Sequence, residues 1–343
     1  MTALTVPASP QEDAALRPVP WRRMAWVTWR QHRITLAGVI VVLGGLAVYL
    51  WRTGLGIHQA WAAAAACHPT SSPSSAACGF AGAFLTRYVP TEVTAGILLQ
   101  LAPALIGAFV GAPVLARELE TGTFRYAWTQ GFGGWRWTLG KLVPLAIAVT
   151  ALAGALSVLS WWFFQPFFAD DFGTPLAPAL FDLRGIAYPA WALAAFAIGA
   201  LAGMVIRRVV PAMAATLAVY FGLALLPGLW LRQYYLPPVL TTSNNLPNFA
   251  WTISQWYTKN GKFAFTGVQK SGTNAGIEQY WCPHASPSET LGQCLSQHGY
   301  TQWTAYQPAT RFWPFQWIEA GWLVALSALL IAATVWLVRR RAA

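Results

Sequence analysis

Apolar residues in this chain are gathered into six long runs separated by polar stretches, at about 34–51, 94–116, 139–164, 185–206, 209–231 and 315–338. A helix needs roughly 20 apolar residues to cross the ~30 Å hydrocarbon core of a bilayer, and the runs are of that order. The pattern therefore predicts six transmembrane helices. Pro103 and Pro113 fall within the second run, where a kink is tolerated because neighbouring helices re-satisfy the freed carbonyls. Residues 1–20 are polar and rich in Pro and Ala without periodicity, and read as a disordered tail. Residues 21–33 set Trp21, Trp26 and Trp29 among Arg22, Arg23, Arg30 and Arg33, a mixture expected of an amphipathic helix lying at the membrane surface. A plain basic flank to the first span is the alternative. Residues 232–314 form a long polar and aromatic stretch, read as a separate domain between the fifth and sixth spans. Its aromatics, among them Trp251, Trp256, Tyr257, Tyr280, Trp281 and Trp303, either pack on their own core as a lid or contact a ligand.

Composition agrees with the runs. Of 343 residues, 56% are hydrophobic and 10% charged, against about 25% charged in soluble domains. The expected class is an all-α integral membrane protein. The net charge of +11 does not point to nucleic acid, because the basic residues sit at the ends of apolar runs, where topology and anionic lipid explain them. Arg117, Arg125, Arg136, Lys141, Arg207, Arg208 and the triplet 339–341 fall on the side of the termini, whereas the opposite short loops hold Arg52, Arg87 and Arg184. The bias places both termini in the cytoplasm, and domain 232–314 outside the plasma membrane. Cys67, Cys78, Cys282 and Cys294 all fall in loops assigned to the outside, where disulfides persist. Cys67–Cys78 and Cys282–Cys294 are the simplest of three pairings, with a zinc site as the alternative.

A search for catalytic chemistry finds little. Gly140-Lys141 resembles the end of a phosphate-binding loop, but that motif needs Gly at Trp135 and Ser or Thr at Leu142. Asp170-Asp171 is a lone acidic pair in a loop, and no catalytic or metal-binding residues are assigned. Ionisable groups within the spans would mark ion or proton routes. Glu319 near the outer end of the sixth span is the exception, either facing water at the interface or belonging to an outer gate. Energy for transport would then enter through segment 117–130, between the second and third spans. There Glu118 and Glu120 suit the N-terminal end of a short helix, Thr121-Gly122-Thr123 offers a bend, and Phe124, Tyr126 and Trp128 give contact area. An intramembrane enzyme on lipid substrates, or a ligand-binding receptor or immunity protein, remains the alternative.

Arg117-Glu-Leu-Glu-Thr-Gly-Thr123, set between the second and third of six spans and preceded by a Trp/Arg-rich helix, resembles the ABC type-2 exporter permeases. The starts at Trp26-Val-Thr-Trp-Arg-Gln-His32 and Tyr306-Gln-Pro-Ala-Thr-Arg-Phe-Trp313 are similar to the actinobacterial branch. The resemblance covers about 21–343. It implies a type V ABC transporter fold working as two permease subunits, as a homodimer, with a separately encoded ATPase that binds ATP and Mg. By position it gives Arg117, Glu118, Glu120, Thr121, Gly122, Thr123, Phe124 and Trp128 the coupling role, and makes Gln100, Tyr220, Phe221 and Glu319 pathway candidates. This chain itself would bind no cofactor, and its cargo would be an amphipathic or hydrophobic drug, lipid or peptide.

Overall fold

The computed structural model describes residues 21–65, 80–122, 134–168, 173–243, 246–267 and 291–342. The expected tail 1–20, Asp170-Asp171 and Tyr280-Trp281 lie outside them, as do Cys67, Cys78 and Cys282. Among the described residues, six helical stretches are long and apolar enough to cross a bilayer: Leu36–Ala63, Thr86–Thr121, Gly134–Phe168, Ala187–Ile206, Val209–Tyr234 and Ala309–Arg340. They match the six runs in order and place.

The first span belongs to α1 (Trp21–Ala65), a single helix of 45 residues. The expected separate helix over 21–33 is corrected here: those residues run on into the span without a break, since no Pro or Gly interrupts the ladder between Trp21 and Ala37. Trp26 is exposed, with the Arg30 guanidinium 5.5 Å over its ring. The side chains of Trp21, Arg22, Arg23 and Trp29 are outside the description.

The second span joins α2 (Phe80–Ile106), a π turn at Gly107–Gly111, and α3 (Ala112–Thr121). The third is α4 (Gly134–Phe164), and a single turn, α5 (Pro178–Phe181), leads to the fourth, α6 (Ala187–Ile206). The fifth, α7 (Val209–Leu226), also ends in a π turn, Pro227–Leu231. The π turn of span two lies where glycines bring two backbones together. A Cβ on Gly107 would come within 2.5 Å of the Ala195 carbonyl oxygen, and one on Gly199 would run into the Gly107 carbonyl. Small residues on facing helices permit this close approach, which in lipid supplies the packing that hydrophobicity cannot. The Ala/Gly-rich α6 is accordingly central, 67% buried against 17% for spans one and five.

The stretch between spans five and six corrects the all-α expectation. It contains an antiparallel sheet of order β1-β4-β2-β3, with β1 at Val239–Thr241, β2 at Trp251–Lys259, β3 at Lys262–Gly267 and β4 at Tyr300–Gln307. Asn260 and Gly261 both take positive φ, 49° and 76°, as the tight turn of the β2–β3 hairpin demands. Trp256 pairs with Trp303 across the sheet with stacked rings, and Tyr257 stacks on Phe265. Trp251 packs instead on the helix bundle. A short helix, α8 (Leu291–Gln297), buries Cys294, which is disulfide-bonded, against this sheet. β4 leads through a 3-10 turn into α9 (Phe312–Ala342), and the buried Gln307 ties the junction by donating to the Leu236 carbonyl at 2.8 Å.

Candidate functional site

Two regions among the described residues bring together the side chains named from sequence. The first is at the end of α3. Glu118 and Glu120 occupy its last turn, and the chain leaves at Gly122 with φ 72°. This corrects the expectation that they open a short helix of their own. Acids at a helix C-terminus oppose its dipole, and each is compensated by a neighbouring span. Glu118 accepts from the Lys141 ammonium of α4, itself 3.9 Å over the Trp137 ring and 3% exposed. Glu120 Oε2 accepts from the Val209 N–H at 3.0 Å, at the positive end of α7. Arg117 is exposed, and Thr121 Oγ1 donates to its carbonyl at 2.9 Å. Thr123, Phe124 and Trp128 lie outside the described residues.

The second region is a cavity of about 420 Å³ between α2, α5, α6 and α7. Gln100, Tyr220 and Phe221, named from sequence, all line it, together with Tyr188, Trp191 and Asp182. Gln100 Nε2 donates to the Ala179 carbonyl at 2.8 Å, and the Tyr188 hydroxyl to the Leu99 carbonyl at 3.0 Å. Tyr220 meets Trp191 edge to face, at 5.8 Å between centroids.

Behind the cavity wall lies an ionic cluster. Arg232 is fully buried, and its guanidinium faces both oxygens of Glu319 at 3.1 Å and pairs with Asp182 Oδ1. Glu319 also accepts from Trp191 Nε1 at 3.0 Å and the Tyr235 hydroxyl at 3.2 Å. Glu319 is therefore fully buried, correcting the reading of a water-facing acid, because these donors replace its hydration. It does not line the cavity; Asp182 does, with 21% of its side chain exposed. Burial raises the Asp182 carboxyl well above its usual value; Arg232 opposes that rise and Glu319 adds to it. Arg184, two residues further along but outside this cluster, is 4% exposed with its guanidinium 3.8 Å over Phe168, and is pulled down to about 10 by burial.

Arg232, Asp182 and Trp191 were missed from sequence. Asp182 stands in the same polar stretch as Asp170-Asp171, between the third and fourth runs, and the fifth apolar run stops one residue before Arg232. An arginine directly at the end of an apolar run was the available signal, pointing to a carboxylate on a neighbouring span.

Six apolar helices around a small-residue centre, with a cavity open between spans two, four and five, define a multi-pass membrane protein. A family model described as ABC-2 membrane transporter related matches residues 39–232. The match covers more than half of the chain, which belongs to this family. It is thus a membrane permease component of an ABC transporter, a transport subunit rather than an enzyme, in a family that generally works with an ABC ATPase. No curated protein and no solved structure matches the chain significantly.

Proposed function

We propose that the chain is the permease subunit of an ATP-driven exporter in the bacterial plasma membrane, moving an amphipathic or hydrophobic drug, lipid or peptide. The observation that carries this reading is the cavity that spans two and five share, where Gln100, Tyr220 and Phe221 meet on a largely apolar wall. A wall of this kind suits an amphipathic cargo better than a hydrated ion. ATP and Mg act on a separate ATPase, which docks on segment 117–130 from the cytoplasm, where both termini lie. Glu118 and Glu120 support that role, since each ties the end of α3 to another span, and displacement of the segment would reach spans three and five directly. Two copies of the permease assemble as a homodimer through the sparsely buried spans one and five, with lipid around the remaining faces. The type V fold and actinobacterial affinity follow the sequence resemblance, and the cysteines pair as Cys67–Cys78 and Cys282–Cys294 in the outer loops.

Purification of the tagged chain from its host in mild detergent tests the reading. A soluble ATPase co-eluting in stoichiometric amount is the expected result. Elution of the chain alone in several mild detergents counts against an ATPase docking on 117–130.

A further inference from the structure

The buried cluster behind the cavity does not balance. It holds one guanidinium, Arg232, and two carboxylates, Glu319 and Asp182. Glu319 answers the arginine with both oxygens and is completed by two neutral donors, Trp191 and Tyr235. Asp182 pairs with the same guanidinium and hydrogen-bonds to Glu319, so two acids share one cation, and Asp182 is the one of the two that reaches the cavity. Among the described residues lining that cavity there is no Lys or Arg, whereas Tyr188, Trp191, Tyr220 and Phe221 are present. A partly buried carboxylate without a full counter-charge is costly in a low-dielectric site unless it takes up a proton or a cation. Aromatic faces attract organic cations, and 420 Å³ lies within the range of small-molecule sites.

We propose that the cavity takes a lipophilic organic cation, with Asp182 as its counter-ion and Trp191, Tyr220 and Phe221 as its aromatic wall. The inference rests on the reading of this cavity as the cargo site and narrows the cargo from amphipathic molecules to cationic ones. Proton and cation compete for the same carboxylate, consistent with the raised affinity of Asp182 for its proton.

The test is binding of tritiated tetraphenylphosphonium to the full chain in lipid nanodiscs, with empty nanodiscs subtracted and the isosteric anion tetraphenylborate run in parallel. The phosphonium is expected to bind saturably and the borate not to. Asp182→Asn is expected to weaken phosphonium binding about tenfold, and Phe221→Leu by about threefold. Phe221 is 42% exposed, so that variant serves if Asp182→Asn does not fold. Ala224→Trp, which fills the cavity, is expected to abolish binding. Equal binding of both ions, or a phosphonium affinity unchanged in Asp182→Asn or Phe221→Leu, overturns the cation inference but leaves the cavity as a charge-indifferent cargo site. Failure of wild-type protein to bind the phosphonium saturably also overturns it. Saturable binding that survives Ala224→Trp places the site elsewhere and overturns the cavity reading itself.

Discussion

The Glu120 carboxylate accepts the backbone N–H of Val209 at 3.0 Å, so the end of span two caps the start of span five. The α7 N-cap position, Arg208, makes no side-chain capping bond of its own. Loss of an N-terminal cap costs helices about 1 kcal/mol. Glu120→Ala is expected to lower stability by about that much and to speed amide exchange at 209–212 in hydrogen-exchange mass spectrometry. Glu120→Gln, which keeps an acceptor, should recover most of the protection. Equal exchange in all three proteins would remove the cap from the account.

Glu118 and Lys141 form a second tie, more deeply buried, with 19% and 3% of their side chains exposed. Removing one member of such a pair leaves a buried charge without a partner, at about 3 kcal/mol, whereas removing both is far milder. Lys141→Met and Glu118→Leu should each depress the melting temperature more than the double variant does. A double-mutant cycle measures the coupling, and strictly additive losses would show that the pair contributes nothing as a pair.

Gly199 faces the Gly107 carbonyl so closely that no Cβ fits. Gly199→Ala should cost about 2 kcal/mol, because helix backbones rather than a flexible side chain would have to move. Gly44 in α1 has nothing within 4 Å of a built Cβ. Gly44→Ala should be neutral or stabilising by about 0.5 kcal/mol, since Ala favours helix. Thermal unfolding of both variants in the same detergent separates the two environments.

Acidity should act through Asp182. It is faced by Arg232 and Glu319, with Tyr188, Tyr220 and Trp191 on the same cavity wall. Its folded-state affinity for a proton exceeds that of the unfolded chain, whose carboxyl titrates near 3.8. Stability from this site is therefore complete below that value and is lost as pH rises through the folded-state pKa. Melting curves across pH should show this decline in the wild type and a flatter profile in Asp182→Asn; identical profiles would exclude the site as its source.

The spans were legible because a bilayer imposes a length and an apolarity that each run displays by itself. What sequence did not disclose depended on contacts between runs. Glu118 and Glu120 read as the opening of a helix, since acids suit an N-terminus. The N-terminus that Glu120 serves belongs to α7, 89 positions further along the chain. Arg232 fell outside the fifth run because a hydropathy window ends at a charge, yet its partners are drawn from the turn before span four and from span six. The sheet was the opposite case. Asn260-Gly261 between Trp251–Lys259 and Lys262–Gly267 is a local hairpin signal that hydropathy reading passed over.

The two π turns, Gly107–Gly111 in span two and Pro227–Leu231 in span five, belong to two of the three spans that border the cavity. A π turn is an α-helix holding one residue more than its register requires. Handing that surplus one position along the helix swivels the backbone between the old and new places by about 100°, with a single hydrogen bond exchanged rather than a whole ladder broken. Were the surplus handed along in this way, the cavity walls would turn by a change of register rather than by slack.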